Sequence, residues 1–399
     1  MTNHATRAAT RATAGRRRAG RAPRVLHVAS HSRPHMGGLE TVVAAETQGL
    51  AARGWDVTLV TSAWTVGPGE RVEDGVRVVR VGAWNAIERT TAVPFPVFSP
   101  RLWLVLAREV RRADVVHVHD VLYLSSWVAA VCCLLLRTPY VVHRHVGFVH
   151  HTSLWVRVVQ AAVVGTVGVV VLSRAAAVLP IDERIAAGLR ARSRHPERVE
   201  VLGNGVDTTL FRPAPADQRL ALRERLGLPR ETPLALFVGR FVPKKGFAAV
   251  AAAVSDDCHV VLVGGERPPG LDDPRLHFLG SLPPEWMPDA YGCADVMVVA
   301  SVGECPLTIL EAMSSGLPVL VNDDPALHTA WTSGPGVRFV DVAGGGLEEA
   351  LRRLVADPDA ARAAGAAGHE HVRSRFSWSA HLDRLTGVYA RLTPVQTTR

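Results

Sequence analysis

The fold is decided by the stretch VLHVASHSRPHMGGLETVVAAETQGLAARGWDVTLVTS at residues 25–62. Val25–Ala29 is an apolar run typical of a buried strand, and Asp56–Ser62 is a second one. Between them, the pair Gly37-Gly38 marks a loop, and Leu39–Arg53 has apolar residues at helical spacing. A strand, a glycine-containing loop, a helix and a second strand predict the βαβ unit of a doubly wound parallel sheet.

The same alternation continues along the chain on both sides of one interruption. Further strands are predicted at Val76–Val81, Val115–His119, Tyr140–His143, Ala177–Pro180 and Val199–Leu202, with helices that begin near Arg101, Leu124 and Trp155. Arg212–Pro215 then breaks the periodicity and predicts a linker. A second alternating set follows, with strands at Leu234–Val238, His259–Val263, Arg275–Leu279, Val296–Ala300 and Leu317–Val321 and helices at Leu307–Ser315 and Ser379–Arg391.

These elements predict an α/β protein with two Rossmann-like, doubly wound domains that face each other across a cleft. A chain of 399 residues also exceeds what one hydrophobic core usually supports. The predicted parts are a disordered basic tail at 1–23, domains at 24–211 and 217–375, and a C-terminal helix at 376–392 that packs back toward the first domain. Because ligands of open α/β sheets bind at the carboxyl ends of the strands, functional residues are expected in strand-to-helix loops.

The net charge of +8 is concentrated at the N-terminus. Residues 1–24 contain seven Arg and no acid, and removing these seven from the 45 Lys and Arg leaves 38 against 37 Asp and Glu. A nearly neutral body excludes a basic nucleic-acid-binding face. The tail has two interpretations, plain disorder or a contact with anionic lipid or another polyanion. It lacks the apolar core of a secretory signal, which favours a cytoplasmic protein.

The apolar residues and the cysteines indicate neither a membrane span nor a redox site. Trp155–Leu172 is apolar but contains Arg157 and Gln160 and is short for a span, so it predicts a buried or surface-seeking helix. A peripheral contact of this helix with the inner face of a membrane is left open. The five Cys have no metal-ligand or redox spacing, which fits a reducing cytosol.

The loop after the first strand of the second domain carries two cations beside glycines. It contains Gly239, Arg240, Lys245 and Gly246. Arg240 and Lys245 can bind a diphosphate, and they can stabilise a departing nucleoside diphosphate as metal ions do in other enzymes. The alternative interpretation is a solvated basic turn.

A second candidate segment, SVGECPLTILEAM at 301–313, follows an apolar strand and opens a helix. The carboxylates of Glu304 and Glu311 can accept hydrogen bonds from the vicinal hydroxyls of a ribose or a sugar. The free amides at the helix start favour a phosphate nearby. In the alternative interpretation Glu304 is only an acid at a helix start and Glu311 a surface residue, although the neighbours of Glu311 are apolar on both sides.

Weaker candidates lie in the first domain. Gly37-Gly38 can present backbone N–H groups to a phosphate, while the absence of G-x-G-x-x-G argues against a nicotinamide enzyme. His145 follows a strand and can hydrogen-bond a sugar or shuttle a proton, or it is simply packed. His117 and His119 share one strand face, but no third ligand accompanies them at a convincing spacing, so a structural role is favoured and no metal site is predicted.

Together these segments resemble glycosyltransferase family 4, whose members are retaining enzymes with the GT-B fold. The likeness covers about residues 24–392 and is strongest at 238–246 and 306–319. Supporting segments are Gly37-Gly38-Leu39-Glu40, Val115–His119, Asn204–Asp207 and Phe376-Ser377-Trp378. Each segment is common by itself, whereas their order and spacing together are specific.

The resemblance implies a nucleotide diphosphate sugar as substrate, no metal ion and no other cofactor. The second domain would hold this donor, and the first domain would hold a hydroxyl acceptor that is a small molecule, a glycan or a lipid. By the same resemblance Arg240 and Lys245 bind the diphosphate, Glu311 binds the ribose, and Glu304 and His145 contact the donor sugar. The implied donor-site residues are Gly37, Gly38, Gly239, Arg240, Lys245, Cys305, Pro306, Leu307, Thr308 and Glu311.

One departure from the family pattern concerns the two glutamates. Six residues separate Glu304 from Glu311, whereas the family has seven. Either Glu304 keeps its role through a tighter loop, or Gly303 occupies the place of the family glutamate. Two other functions stay open: a catalytically silent GT-B subunit that binds or activates a partner, and another GT-B activity such as a sugar phosphorylase or epimerase. The sequence leaves the nucleotide base, the sugar, the acceptor and the oligomeric state open.

Overall fold

The computed structural model describes residues 21–35, 37–63, 66–84, 95–145, 154–303 and 305–393. The predicted tail up to residue 20 and the candidate Glu304 lie outside this part of the chain. The described strands are β1 Arg24–Val28, β2 Asp56–Ser62, β3 Gly69–Glu73, β4 Val76–Val81, β5 Ala83–Trp84, β6 Val97–Phe98, β7 Val115–His119, β8 Tyr140–Arg144, β9 Ala177–Pro180, β10 Leu234–Val238, β11 His259–Val263, β12 Leu276–Gly280, β13 Val296–Val299, β14 Val319–Asn322 and β15 Val337–Val340.

The described α-helices follow most strands, as a βαβ fold requires. They are α1 Gly38–Ala52, α2 Arg101–Arg112, α3 Leu124–Leu136, α4 Leu154–Val163, α5 Val169–Arg174, α6 Glu183–Arg190, α7 Ala216–Arg225, α8 Phe247–Ala252, α9 Met287–Gly292, α10 Thr308–Ser314, α11 Gly346–Ala356, α12 Pro358–Arg375 and α13 Trp378–Leu392. A π-helical turn at Val164–Gly168 joins α4 to α5.

Two large sheets organise the molecule. The first has the strand order β3-β4-β2-β1-β7-β8-β9 and is parallel except where β3 pairs with β4. The second has the order β12-β11-β10-β13-β14-β15 and is parallel throughout. In the first sheet the strands that follow β1 are added on both sides of it, and in the second sheet the same holds for β10. The crevice where such sheets bind ligands lies at this reversal of strand order. The prediction of two doubly wound domains is confirmed.

The first and last helices cover the same face of the first sheet. Val43 and Leu50 of α1 share a buried cluster with Leu385 and Tyr389 of α13. The opposite face packs on α2 and α3 through a separate apolar cluster. Burial on both faces explains the valine-rich runs of β1, β7 and β8, which buried histidines interrupt at His27, His117, His119 and His143.

The chain passes between the two domains at adjacent positions. The Val206 N–H donates to the Phe376 carbonyl at 2.9 Å, and the Trp378 N–H donates to the Val206 carbonyl at 3.1 Å. Val206 and Phe211, which the sequence assigned to the first domain, pack in the core of the second domain with Trp331. The two segments that connect the domains, at Val206 and at Phe376–Trp378, are therefore hydrogen-bonded to each other rather than being separate linkers.

Some predicted elements differ from the observed ones. Val199–Leu202 is not a strand, because only Val199 forms a bridge, to Val178. The Glu200 and Leu202 N–H groups donate to the Val178 and Pro180 carbonyls at 3.0 and 2.9 Å, but Pro180 has no N–H to donate in return, so a full ladder does not form there. The strands β3 and β15 were not predicted, since both are short edge strands with charged residues such as Glu70 and Arg338.

The predicted apolar helix at 155–172 lies within α4, the π-helical turn and α5. Val158, Val169 and Val170 on it are exposed. Among the described helices, none is both long enough and apolar enough to cross a bilayer. A peripheral membrane contact of this surface stays a prediction.

Candidate donor site between the two sheets

The two candidate segments of the second domain meet at the carboxyl ends of β10 and β13. The Val302 N–H donates to the Lys244 carbonyl at 2.9 Å and ties the basic loop to the segment after β13. Gly246 has a φ of +71°, and a Cβ there would lie 2.3 Å from the Ala300 carbonyl oxygen. Only glycine fits this position, because any side chain would meet the backbone of β13 in a left-handed conformation. The fold therefore presses the two segments together.

A second close approach fixes the start of the basic loop. The Gly239 N–H donates to the Val263 carbonyl at 2.9 Å, as an extension of the β10–β11 ladder. Gly264 has a φ of +116°, and a Cβ there would lie 2.4 Å from the Gly239 carbonyl oxygen. The backbone of the basic loop is thus anchored at both ends, so its cations extend from a rigid support.

The two predicted cations differ in their surroundings. Arg240 is exposed, and its guanidinium has no hydrogen bond or ion pair with any described residue. Lys245 is half-buried, and its Cδ lies 3.6 Å from the position of a Cβ built on Gly239. An uncompensated guanidinium at the carboxyl edge of a sheet is suited to bind a diphosphate, whose planar oxygen pairs match its donors.

Glu311 lies on α10, and its carboxylate is held by a buried tyrosine. The Tyr291 hydroxyl donates to Glu311 Oε2 at 2.6 Å. Burial raises the pKa of the Glu311 carboxyl, and the hydrogen bond from Tyr291 opposes this rise. Burial, reinforced by the charge of Glu311, raises the pKa of Tyr291, which keeps its phenol protonated as the donor. The remaining oxygen of Glu311 is a candidate acceptor for a ribose hydroxyl.

The start of α10 contains the other predicted donor-site residues. Cys305 Sγ lies 3.7 Å from the Thr329 hydroxyl, and Pro306 and Leu307 lead into the helix. The Thr308 hydroxyl is buried without a hydrogen-bond partner among the described residues. Gly303 is exposed with a φ of +73°, a conformation that a glutamate would adopt only with strain.

The first domain faces this segment through the start of α1. A Cβ built on Gly38 would lie 3.9 Å from Leu307 Cδ1, so the two loops are opposed across the gap between the sheets. Next to it, a Cβ on Gly37 would lie 2.3 Å from Glu40 Oε2, and Glu40 Oε1 lies 2.9 Å from His35 Nδ1. Of the predicted residues, the structure brings Gly38 and Leu307 together.

His145 lies directly after β8 and is half-buried. Its Nε2 lies 3.0 Å from His119 Nδ1, and its ring centroid lies 4.0 Å from that of His143. Burial, assisted by the neighbouring imidazoles of His143 and His119, holds the pKa of His145 well below its usual value. His145 is therefore a neutral imidazole that can donate or accept a hydrogen bond, rather than a fixed cation.

The sequence interpretation missed two polar groupings in the first domain. Asp120 and Arg144 form a buried ion pair at 2.5 Å at the carboxyl ends of β7 and β8. A second grouping, the histidine cluster, surrounds Glu46 on the sheet face beneath α1. Its members are His27, Glu46, His117, His119, His143 and His145. His27, Glu46 and His143 come from three other elements than His117 and His119, so spacing along the chain could not show that all five lie together.

A cavity of 320 Å³ lies at the opposite edge of the first sheet, at the amino ends of its strands. It is lined in part by Arg24, Asp56, Arg77, Glu109 and Arg112. These charges are paired with each other, for example Arg24 with Asp56 at 3.1 Å. The cavity is remote in the fold from every predicted donor-site residue, because those residues follow the carboxyl ends of strands.

Comparison with protein families gives two matches that together span most of the chain. The model for Glycosyltransferase Family 4 matches residues 36–210, and that for Glycosyl transferases group 1 matches residues 232–357. A D-inositol 3-phosphate glycosyltransferase of Xylanimonas cellulosilytica is 30% identical over 422 residues, covering 94% of this chain and 98% of that protein. The protein of the same name from Acidothermus cellulolyticus is 30% identical over 425 residues, covering 92% and 90%.

Solved structures resemble the whole two-domain arrangement. The sucrose-phosphate synthase of Thermosynechococcus elongatus superimposes with a TM-score of 0.72 at 23% identity, covering 93% of this chain and 99% of that one. The Anabaena HepE protein in complex with UDP and glucose has a TM-score of 0.72 at 17% identity, covering 92% and 100%. At such identities the likeness concerns the fold.

Proposed function

Because this chain belongs to glycosyltransferase family 4, has the GT-B fold and transfers a sugar from a nucleotide sugar, we propose that it retains anomeric configuration and that the transfer step itself needs neither a metal ion nor another cofactor. We also propose that the donor binds where the basic loop joins the segment after β13, and this contact is the observation that carries the proposal. The bond from the Val302 N–H to the Lys244 carbonyl and the fit of Gly246 against Ala300 support one shared site.

The proposed chemistry assigns a part to each described candidate. Arg240 and Lys245 stabilise the negative charge that develops on the departing nucleoside diphosphate, in place of a metal ion. Glu311, oriented by Tyr291, accepts hydrogen bonds from the ribose hydroxyls. The neutral His145 hydrogen-bonds the donor sugar and keeps it in position.

Retention follows if the acceptor attacks from the face that the diphosphate leaves. The bond between the anomeric carbon and the phosphate oxygen breaks, and a bond from that carbon to the acceptor oxygen forms on the same side. The proton of the acceptor hydroxyl passes to the departing phosphate oxygen. The fixed cations favour this step because they lower the energy of the developing phosphate charge.

For the substrates, we propose a uridine diphosphate sugar as donor and a phosphorylated cyclic polyol as the first acceptor class. The Anabaena HepE structures contain UDP, UDP with glucose, or UDP-glucose. Several relatives bear the name D-inositol 3-phosphate glycosyltransferase. D-inositol 3-phosphate is therefore the first acceptor to assay, followed by glycan and lipid hydroxyls.

The test is transfer by the purified full-length chain. Release of nucleoside diphosphate is measured with UDP-, GDP-, ADP- and dTDP-sugars with and without acceptor, and the anomeric proton of the product is compared by NMR with that of the donor. Arg240→Ala should lower kcat/KM by about 10- to 150-fold, since a charge-assisted hydrogen bond contributes about 1.5–3 kcal/mol. Arg338→Ala is the matched control, because Arg338 is also exposed but lies on the edge strand β15.

Each outcome distinguishes the alternatives. An inverted product, or equal activity of Arg240→Ala and Arg338→Ala, would contradict the proposed mechanism. Donor binding without turnover on any acceptor would favour a catalytically silent subunit. Consumption of inorganic phosphate, or turnover of the donor that needs no acceptor, would favour a phosphorylase or an epimerase.

A further inference from the structure

The histidine cluster contains four ligand atoms that surround one point inside the first domain. His27 lies on β1, Glu46 on α1, and His117 and His119 on β7, and all four side chains are fully buried. His27 and His117 are direct neighbours in the register of β1 with β7. The proposed sugar transfer assigns a role to none of these four residues, although His119 Nδ1 lies 3.0 Å from Nε2 of His145, which it does use.

The four atoms lie within 4.8 Å of one another, close to the spacing of a tetrahedral coordination shell. His27 Nδ1 lies 3.0 Å from His119 Nε2. Glu46 Oε2 lies 3.8 Å from His27 Nδ1, 3.7 Å from His117 Nε2 and 3.9 Å from His119 Nε2. Ligands about 2.0–2.1 Å from a tetrahedral Zn²⁺ are about 3.3–3.4 Å from one another, which the four distances bracket. The rings of His27 and His117 stack with centroids 4.6 Å apart and planes 7° apart, so binding one ion requires these rings to rotate until both lone pairs point at it.

Two of the four atoms lack any other partner. Glu46 Oε2 and His117 Nε2 are buried, and neither forms a hydrogen bond within the described part of the chain. Burying a carboxylate oxygen without a hydrogen bond or a cation is costly.

The outer atoms of the same side chains have the partners that a metal site requires. His117 Nδ1 lies 2.6 Å from the Tyr389 hydroxyl, and His27 Nε2 lies 3.5 Å from the same oxygen. His119 Nδ1 lies 3.0 Å from His145 Nε2. The other oxygen of Glu46 lies 2.9 Å from His381 Nε2. Each far nitrogen can therefore keep its proton and donate it, leaving the inner nitrogen free to coordinate.

We propose that His27, Glu46, His117 and His119 bind one Zn²⁺ ion inside the first domain. The donor set of three imidazoles and one carboxylate suits Zn²⁺ in tetrahedral coordination. The closed, buried shell has no position for a substrate, so the ion is structural. It links β1, β7 and α1, and its outer partners Tyr389 and His381 extend the link to α13. Zinc binding is then coupled to folding, because the ligands come from three separate elements and their outer partners from the C-terminal helix.

The experiment measures metal on the full chain produced without a histidine tag. Zinc per chain is determined by mass spectrometry after gel filtration, and the chain is also unfolded with chelator and refolded with Co²⁺ as a visible probe. The expected result is about one Zn²⁺ per folded chain and the strong visible absorption of tetrahedral Co²⁺. Glu46→Gln and His27→Gln should lose at least about 10-fold in metal affinity, because even the loss of an outer-shell partner typically costs about 10- to 100-fold.

His259→Gln is the matched control. His259 and His277 form another imidazole pair, with Nδ1 and Nε2 3.1 Å apart, but no carboxylate joins them in the described structure. This variant should bind zinc like the parent. If both ligand variants fail to fold, the Co²⁺ spectrum of the refolded parent decides instead. A folded parent without zinc that also binds no Zn²⁺ or Co²⁺ on refolding would overturn the proposal, as would equal zinc in Glu46→Gln and the parent.

Discussion

Gly246→Ala tests whether the contact between the basic loop and β13 builds the donor site. The added Cβ would lie 2.3 Å from the carbonyl oxygen and 2.5 Å from the Cβ of Ala300. Ala300 is buried, so it cannot move aside freely. The left-handed backbone costs alanine about 1–2 kcal/mol, and the overpacking costs about 1–3 kcal/mol. The free energy of unfolding should therefore fall by about 2–5 kcal/mol.

The matched control is Gly270→Ala. Gly270 has a similar φ of +82°, but a Cβ there would meet no atom within 4 Å. This variant carries the same backbone strain without the contact, so it should lose only about 1–2 kcal/mol. The difference between the two variants isolates the packing of the loop against β13.

The assay combines urea unfolding with calorimetric titration of a nucleoside diphosphate. Gly246→Ala should be less stable than Gly270→Ala and bind nucleotide more weakly, because a displaced loop moves Arg240 and Lys245. Gly270→Ala should bind as the parent does. Equal stability and equal nucleotide affinity in the two variants would refute the claim that this contact positions the loop.

Three further predictions concern the carboxylate and the cation requirement. Burial raises the pKa of Glu311 in the folded state, so the stability that this group contributes is present below the ordinary glutamate pKa range and is lost as pH rises through the raised pKa. The free energy of unfolding of Glu311→Gln relative to the parent should thus increase with rising pH, while the variant binds nucleotide more weakly. A free-energy difference in urea unfolding that stays constant across pH would contradict this. Tyr291→Phe removes the hydrogen bond to Glu311 and should lower the free energy of unfolding by about 1.5–3 kcal/mol, but by clearly less in a Glu311→Gln background. Additive effects of the two substitutions in the double-mutant cycle would argue against the pairing. Brief EDTA treatment of the folded enzyme should leave transfer unchanged, whereas inhibition that Mg²⁺ or Mn²⁺ reverses would remove the metal-free mechanism.

The sequence predicts the fold well because the central parallel strands are mostly apolar and alternate with segments of helical periodicity. Asp56–Ser62, Val115–His119 and Leu234–Val238 have the predicted bounds. Strands that depend on tertiary pairing are less visible: Gly69–Glu73 is paired only at the sheet edge, and its residues are mostly polar and exposed. The failed strand at 199–202 depended on a partner that ends in proline, which local periodicity does not reveal.

The candidate site likewise has residues that the sequence suggests and contacts that only the structure reveals. Arg240 and Gly246 could be chosen as candidates from the sequence because glycine and cations in a strand-to-helix loop have a direct chemical meaning. The hydrogen bond between Tyr291 and Glu311 and the gathering of His27, Glu46 and His117 join residues far apart in the chain. Only the folded sheet sets such distances, so no spacing rule could supply them.

The most direct measurement is a crystal structure of the full chain with a nucleoside diphosphate bound. The diphosphate should contact Arg240 and Lys245 within hydrogen-bonding distance, and the ribose hydroxyls should bind the Glu311 carboxylate between the two sheets. A nucleotide bound elsewhere, for example in the charged cavity at the opposite edge of the first sheet, would contradict the account.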